Sequence, residues 1–296
     1  MTLPPLYKYL DVNGARLTLS NGTFKHAKPS DFNDVEDLTV RSIFPEANEI
    51  ALNEIKNNFT RIISENLDKT PTCINAVMRQ QVALIQEVFR ANPDAAELVA
   101  ETMKKDELSK LYDLDRLKIR NKGFIEEINR FMQGFRVLCV SEDGNSERMW
   151  NRYAQESQGI VLRIVPNVSK DSKYILFHKV KYAATRPSLF MSALDFIESG
   201  MFADQQKRMI QMIDDVVYSK TLEWEYENEY RLVAPIIGAE SWNTMPYHPE
   251  EIPELYFGKN TSIATKAELT ALAKWRNPNV KIFHSCVQPD GRVLFI

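Results

Sequence analysis

Apolar residues recur along this chain with two different spacings. Between residues 46 and 133 they return every three or four positions, which is the period of an amphipathic helix. Pro71 and Pro93 interrupt this stretch, and Pro93 stands just before the acidic segment Asp94–Glu97, as at a helix start. The pattern predicts three or four amphipathic helices inserted between β segments, serving as a subdomain, a lid or a partner-binding surface.

On both sides of this stretch the apolar runs have the length of single strands. The predicted strands are Leu6–Leu10, Thr23–Ala27, Phe135–Ser141, Gly159–Ile164, Tyr174–Tyr182, Pro253–Gly258, Val280–Ser285 and Arg292–Ile296. The turn pairs Asn13-Gly14 and Asn21-Gly22 separate the first two strands.

Helical spacing also occurs outside the inserted block. It predicts Ser146–Glu156 with Ser146 as the cap, Leu189–Ser219 with a bend near Gly200, and a helix around Lys266–Trp275. Short strands separated by single helices predict an α+β fold. We expect residues 1–45 and 134–296 to form the α+β core domain and 46–133 the helical insertion.

Composition narrows the class of protein. The chain has 296 residues and a formal net charge of -3, which argues against binding nucleic acid with its whole surface. Its three cysteines and four histidines are dispersed, so neither a disulfide framework nor a zinc site is expected, and no metal cofactor. The sequence shows no signal peptide and no apolar span, so we expect a cytoplasmic protein without membrane contact.

Familiar catalytic and nucleotide-binding motifs do not occur in the sequence. It has no GxGxxG, no GxxxxGK[ST], no GxSxG and no HExxH. Rossmann and P-loop nucleotide binding, serine hydrolysis of the elbow type and zinc proteolysis are therefore disfavoured.

The segment Trp224–Val233 carries the richest chemistry. Its side chains alternate in type, which predicts a strand with Glu225, Glu227, Glu229 and Arg231 on one face and Tyr226, Asn228, Tyr230 and Leu232 on the other. Neighbouring carboxylates on one face repel, so at least one should have a raised pKa unless a cation compensates. The alternative is a solvated outer face of the sheet.

Other candidate contacts lie earlier in the chain. Trp150 and Tyr153 are three residues apart on a predicted helix, and beside Ser141 they form a surface that stacks on a base or a sugar. Core packing is the alternative for these rings. Lys8 on the first strand is a candidate anion contact or simply an exposed lysine. Asn33 lies in the polar loop 30–34, which either presents side chains to a pocket or bonds its own backbone.

In order, these segments resemble a bacterial family, the domain of unknown function "twenty-nine seventy-one", which is also found on mobile elements. The resemblance is carried by Tyr7-Lys8-Tyr9, Asn21-Gly22-Thr23, Phe32-Asn33-Asp34, Cys139-Val-Ser-Glu142, Met149-Trp150-Asn-Arg-Tyr153-Ala154, Gly159-Ile-Val-Leu162 and Trp224–Arg231. Two positions depart from the family pattern: Val35 stands where a proline is usual, and Gln158 where a histidine is common.

A more remote resemblance is to the ADP-ribosyltransferase fold, whose three motifs line a cleft that binds NAD. It implies a mixed, mainly antiparallel sheet and NAD as the substrate. Carried over by order, it implies Glu229 or Glu227 as the catalytic carboxylate, Trp150 or Tyr153 as the stacking ring, and further contacts from Lys8, Tyr9, Asn33, Ser141 and Arg231. Arg231 would orient the glutamate or bind pyrophosphate.

Three functions follow as hypotheses. The first is an ADP-ribosyltransferase-like enzyme, a toxin or anti-phage defence effector, acting on a protein or nucleic-acid acceptor. The second is a non-catalytic module that binds a nucleotide, a nucleic acid or a protein, through the same cleft or through residues 46–133, which would also suit an oligomer contact. The third is a nuclease that holds Mg²⁺ on the acidic strand.

Overall fold

The computed structural model describes residues 3–104, 114–235, 242–287 and 293–295. The chain divides into two compact units. Unit 1 comprises Met1–Asp37, Gln133–Thr185 and Tyr218–Ile296, and unit 2 comprises Leu38–Met132 and Arg186–Val217.

Unit 2 is larger than the predicted insertion 46–133. It also includes residues 38–45 and 186–217. The physical reason is a shared apolar core. Met201 packs with Ile62, Ile63 and Phe89, so the helices around residue 201 belong with the earlier ones.

Strands occur in unit 1. Those of the described residues are β1 Leu6–Leu10, β2 Thr23–Lys25, β3 Phe135–Ser141, β4 Ile160–Ile164, β5 His178–Lys179, β6 Lys181–Ala183, β7 Ser219–Thr221, β8 Glu229–Pro235, β9 Thr244–Pro246, β10 Glu254–Phe257, β11 Lys281–Val287 and β12 Val293–Phe295. The predicted strand Arg292–Ile296 thus appears as β12, while Arg292 and Ile296 lie outside the described residues.

Helices occur in both units. They are α1 Val12–Asn21, α2 Asn48–Glu65, α3 Ala76–Ala91, α4 Ala95–Lys104, α5 Leu114–Met132, α6 Glu147–Tyr153, α7 Ala193–Phe202, α8 Gln205–Val217 and α9 Ile263–Arg276. Short 3-10 turns cover Pro29–Asp31, Val168–Lys170, Lys173–Leu176, Leu222–Glu227 and Pro249–Glu251. Among the helices described, none combines the length and the apolarity needed to cross a membrane.

The fold of unit 1 is α+β, built on an eight-stranded sheet of order β12-β11-β10-β4-β1-β3-β8-β5. In this sheet, as far as the structure describes it, β10 and β11 pair in parallel and the other neighbouring strands pair antiparallel, so the sheet is mixed and mainly antiparallel. Two small sheets, β2-β9 and β6-β7, accompany it. The core packs α1 and α9 against the sheet through Ala15, Leu19, Leu162, Leu255 and Leu269.

The predicted turn at Asn13-Gly14 is wrong, because these residues lie in the first turn of α1. Asp11 caps this helix by accepting a hydrogen bond from the Gly14 amide at 2.5 Å. Ala15 and Leu19 then bury one face at a spacing of four residues. The second turn pair is placed correctly, since Gly22 ends α1 in the left-handed conformation at φ 67°.

Two longer predicted elements are divided in the structure. The segment Tyr174–Tyr182 is a 3-10 turn followed by β5 and β6, because Tyr174 and Phe177 both enter the core three residues apart. The predicted helix Leu189–Ser219 is two helices, α7 and α8. Asp204 caps the second by accepting hydrogen bonds from the amides of Gln206 and Lys207.

Candidate functional site

The candidate site begins where the 3-10 turn 222–227 meets β8. The predicted continuous strand across this junction is wrong in its first half: Leu222–Glu227 is a 3-10 helix, and the strand starts at Glu229. Asn228 joins them in the left-handed conformation, at φ 43°. Glu225 is therefore an exposed residue of the turn rather than a member of a shared strand face.

Five buried charged residues of unit 1 converge at this junction, and we call them the ionic cluster. The ionic cluster consists of Asp37, Lys220, Glu227, Glu229 and Arg231. The predicted alternative of a solvated sheet face does not apply here, because Glu227 and Glu229 are each only 3% exposed.

Arg231 is the centre of the ionic cluster. Its side chain is fully buried, and it binds two carboxylates, each through two hydrogen bonds. To Glu229 the bonds measure 2.8 Å from Nε and 3.1 Å from Nη2; to Asp37 they measure 3.0 Å from Nη1 and 2.6 Å from Nη2. Two-point contacts of this kind fix the planes of all three groups. The position of Glu229 is therefore determined by Arg231.

Lys220 is the second cation and links the three carboxylates. Its Nζ donates to Glu227 Oε2 at 2.5 Å and to Glu229 Oε2 at 3.0 Å, and it lies 3.6 Å from Asp37 Oδ2. Three carboxylates thus face two cations, so the fully ionised cluster carries one excess negative charge. Buried charge of this kind is costly unless a group takes up a proton or another cation compensates.

The two neighbouring glutamates respond in opposite directions. Burial raises the pKa of Glu227, and the charge of Glu229 raises it further, against the lowering effect of Lys220. Burial acts on Glu229 as well, but the charges of Arg231 and Lys220 outweigh it and hold the pKa of Glu229 well below its usual range. Of the two glutamates, Glu227 therefore accepts a proton more readily, and Glu229 stays ionised.

Tyr153 connects Glu227 to the molecular surface. Its hydroxyl donates to Glu227 Oε1 at 2.5 Å, and its half-buried ring packs beside the aromatic cluster around Trp150. The exposed Asn33 side chain lies beside the same hydroxyl. Burial raises the pKa of Tyr153, with a further contribution from Glu227, so it remains a donor. The predicted residues Tyr153 and Asn33 thus meet at the outer side of Glu227.

Lys8, Ser141 and Tyr182 support the cluster from neighbouring strands. Ser141 Oγ donates to the Glu227 carbonyl at 2.6 Å, and the Glu229 amide donates to the Tyr182 hydroxyl at 2.9 Å. Lys8 Nζ donates to the Cys139 carbonyl at 2.9 Å, and burial lowers the pKa of Lys8 although both glutamates act to raise it. Lys8 is therefore a further cation close to the glutamates.

Trp150 and Tyr9 lie apart from these contacts, in the aromatic core of unit 1. The Trp150 ring packs edge-on against Tyr9 with centroids 5.6 Å apart, stacks on Phe295, and donates from Nε1 to the Gly144 carbonyl. The Tyr9 hydroxyl donates to the Asp143 carbonyl at 2.8 Å. None of these partners belongs to the ionic cluster. The structure thus corrects the expectation that the Trp150 indole meets the acidic pair, because that ring fills the core instead.

Sequence reasoning missed Asp37 and Lys220, which complete the cluster. Asp37 follows the loop 30–34 by three residues, and Lys220 lies on β7, close in sequence to the acidic segment. A lysine seven residues before Glu227 in a segment with four carboxylates was an available signal for charge compensation. No sequence signal pairs Asp37 with Arg231 across 194 positions.

The acidic residues do not form a metal-binding set. In the parts of the chain that the structure describes, no three His, Cys, Asp or Glu side chains are grouped so as to hold a metal ion. The carboxylates of the ionic cluster are occupied by Lys220 and Arg231 instead. A cavity of about 30 Å³ beside Trp150 and Phe295, and one of about 10 Å³ beside Leu19 and Val280, are lined by residues outside the cluster.

A match to a family model covers the α6–β8 part of this site. Residues 149–232 match the family described as a protein of unknown function (DUF2971). The matched segment includes Tyr153, Lys220, Glu227, Glu229 and most of β8. No curated protein and no solved structure matches the chain.

Proposed function

We propose that this chain is an enzyme that transfers the ADP-ribosyl group of NAD, with Glu227 as its general base. The proposal rests mainly on Glu227 and Glu229, which are two residues apart in one buried cluster. The pKa of Glu227 is raised and that of Glu229 is lowered. Environments that separate the pKa values of neighbouring carboxyls are characteristic of acid–base sites. The choice of NAD rests on the resemblance to the ADP-ribosyltransferase fold.

In the proposed reaction, the bond between nicotinamide and the ribose carbon breaks, and its electron pair leaves with nicotinamide. The acceptor, a nucleophilic oxygen or nitrogen, forms the new bond to that carbon and loses a proton. Glu227 receives this proton, for which a raised pKa is suitable. Glu229, Lys220 and Arg231 do not contact substrate in this proposal. They position Glu227, because Lys220 binds both glutamates and Arg231 binds Glu229.

Access to Glu227 runs past Tyr153, because Tyr153 covers Oε1 and is itself half-buried. Rotation of the Tyr153 side chain would open this oxygen to an acceptor. The acceptor is a protein or a nucleic acid in this proposal, and a role as a toxin or anti-phage defence effector follows from the bacterial family that the sequence resembles.

The test is release of nicotinamide from NAD, and transfer of label to protein, DNA or RNA, by the wild type and two variants. Glu227→Gln removes the base and should lower the rate by about 10²–10⁴-fold. Glu225→Gln changes an exposed glutamate of the same turn and should leave the rate within about twofold of wild type. Wild type that neither releases nicotinamide nor transfers label with any acceptor contradicts the proposal, as does an unchanged rate in Glu227→Gln.

A second candidate is a non-catalytic binding module for a nucleotide, a nucleic acid or a protein. It is favoured by the pairing within the cluster, where Arg231 and Lys220 already bind Glu229 and Asp37. Such a cluster acts as a rigid support as readily as a catalytic centre. Thermal-shift measurements with NAD, cyclic nucleotides and oligonucleotides distinguish the two: stabilisation without turnover that persists in Glu227→Gln identifies the module.

A further inference from the structure

Two arginines of α6 lie over two aromatic rings of the 3-10 turn 222–227. The Cζ atom of Arg148 is 3.6 Å from the ring centroid of Tyr226, and that of Arg152 is 4.5 Å from the ring of Trp224. The two rings are neighbours, with centroids 6.2 Å apart and planes inclined by 31°. We call this group the arginine–aromatic face.

Arg148 and Arg152 are exposed residues, and no carboxylate in the described parts of the chain forms an ion pair with them. Among the described residues, neither donates a hydrogen bond to a carboxylate or carbonyl, and their contacts are with aromatic rings. Other arginines of unit 1 are paired: Arg16 binds Glu268 and Arg163 binds Glu254. Arg148 and Arg152 thus keep their hydrogen-bond donors available.

Stacking fixes the plane of a guanidinium while leaving its N–H groups free at the edge. Residues four apart on a helix have Cβ atoms about 5–6 Å from each other, so the side chains of Arg148 and Arg152 can meet one ligand. Paired planar donors at this spacing suit the oxygens of linked phosphates, which accept two-point contacts from arginine. A monovalent anion would contact only one of the two guanidinium groups.

The arginine–aromatic face adjoins the ionic cluster through Trp224. Lys220 Nζ is 4.8 Å from the Trp224 ring, and Lys220 binds Glu227 directly. Of the acidic residues in these two elements, Glu147 lies 3.5 Å from the cation Lys259, and Glu223 accepts a hydrogen bond from Thr221. Glu225 is the exposed carboxylate that shares the turn with the two rings.

We propose that Arg148 and Arg152 bind the diphosphate group of a nucleotide. Tyr226 and Trp224 hold the two guanidinium planes in place for this contact. The identity of the ligand as NAD rests on the proposed function, whereas the diphosphate contact does not require turnover.

The experiment measures binding of inorganic pyrophosphate to the full chain by titration calorimetry. Sulfate, which has one tetrahedral group in place of two linked ones, is the comparison ligand. Wild type should bind pyrophosphate saturably and at least about tenfold more tightly than sulfate. Replacing both arginines, Arg148→Gln with Arg152→Gln, should weaken pyrophosphate binding at least about tenfold. Replacing both by lysine keeps the charge but removes the planar donors, and should weaken it by about threefold or more.

The matched control is another pair of exposed arginines four residues apart on a helix. Arg116 and Arg120 lie on α5, and Arg116→Gln with Arg120→Gln should leave pyrophosphate affinity within about twofold of wild type. Equal weakening by both glutamine pairs, or no saturable binding by wild type, overturns the proposal. Unfolding temperatures of all variants identify any loss that comes from misfolding, and the lysine pair then serves as the decisive comparison.

Two further outcomes separate this proposal from the proposed enzyme activity. Glu227→Gln should retain pyrophosphate affinity while losing nicotinamide release. Pyrophosphate binding that depends on Arg148 and Arg152, in a wild type that leaves NAD intact with every acceptor, would uphold the diphosphate site and contradict the transferase. NAD should compete with pyrophosphate for the site if NAD is the ligand, and failure to compete would assign the site to another diphosphate.

Discussion

At the scale of single residues, Lys220 decides whether the ionic cluster is stable. It is the cation that contacts both Glu227 and Glu229, and burial lowers its pKa less than the three carboxylates raise it. Lys220 therefore stays charged, and its removal would take away the cation that contacts Glu227. An uncompensated buried charge is among the most destabilising changes a substitution produces.

We predict that Lys220→Met lowers the free energy of unfolding by about 3–5 kcal/mol. The control is Lys259→Met, because Lys259 pairs with the exposed Glu147 at 3.5 Å and contributes about 0–1 kcal/mol. Urea unfolding at pH 7 measures both. Similar losses in the two variants would show that the charge of Lys220 is not needed to compensate the glutamates.

The residues of the cluster differ in how far the sequence indicated them. Glu227, Glu229 and Arg231 stood out because acidic and basic side chains are concentrated in one short segment. Asp37 did not, because nothing local to residues 30–37 distinguishes a carboxylate that meets Arg231 from one that faces water. Contacts between distant positions are set by the fold.

At the scale of elements, the junction at Asn228 sets the geometry of the site. Alternating side-chain types predicted a strand, but Leu222–Glu227 forms a 3-10 helix whose aromatic rings pack under Arg148 and Arg152. Asn228 adopts the left-handed conformation that asparagine and glycine tolerate best. This single residue turns the chain from the helix into β8, so that Glu227 and Glu229 both face Lys220.

We therefore predict that Asn228→Ala destabilises unit 1 by about 1–2 kcal/mol, since an alanine side chain is strained at φ 43°. Asn228→Gly accepts this conformation and should differ from wild type by less than about 1 kcal/mol. Chemical denaturation compares the two variants. If glycine is as harmful as alanine, the Asn228 side chain and not its backbone conformation is what the junction requires.

At the scale of the whole molecule, His26 makes stability depend on pH. Its ring is completely buried; Nδ1 lies 3.2 Å from the Phe24 carbonyl, and Nε2 has no hydrogen-bond partner among the residues that the structure describes. Burial lowers the pKa of His26 to about 4. The unfolded chain, with an ordinary histidine pKa of about 6.5, binds the proton more readily. The contribution of the neutral, buried His26 to the free energy of unfolding is therefore complete above about pH 6.5 and is lost as the pH falls towards 4.

We predict that the free energy of unfolding falls by up to about 3 kcal/mol between pH 7 and pH 4 on account of His26. The lowered pKa of Glu229 acts in the same direction below about pH 4.5. His26→Asn, which keeps a donor for the Phe24 carbonyl, should show a smaller decline, while the exposed His178→Asn should follow wild type. Urea unfolding midpoints across this pH range test it; parallel profiles for wild type and His26→Asn would rule His26 out as the source.

Many of the strands and helices could be predicted from the sequence, because the spacing of apolar residues is a local property of the chain. The strands β1, β3, β4, β10 and β11 and the helices of 46–133 fall where the apolar spacing predicted them. Where local signals competed, as at Asn13-Gly14 and Trp224–Asn228, capping and core packing determined the outcome. The α+β class is therefore confirmed, although several element bounds differ.

By itself, the sequence determined the types of element and the concentration of charge near Glu227 and Arg231, since both depend on neighbouring positions. Only the tertiary structure decided which charges meet. It brought Asp37 and Lys220 to that segment, placed Tyr153 rather than Trp150 on Glu227, and buried the whole group. Burial is what separates the pKa values of Glu227 and Glu229, because desolvation and ion pairing act strongly only away from water.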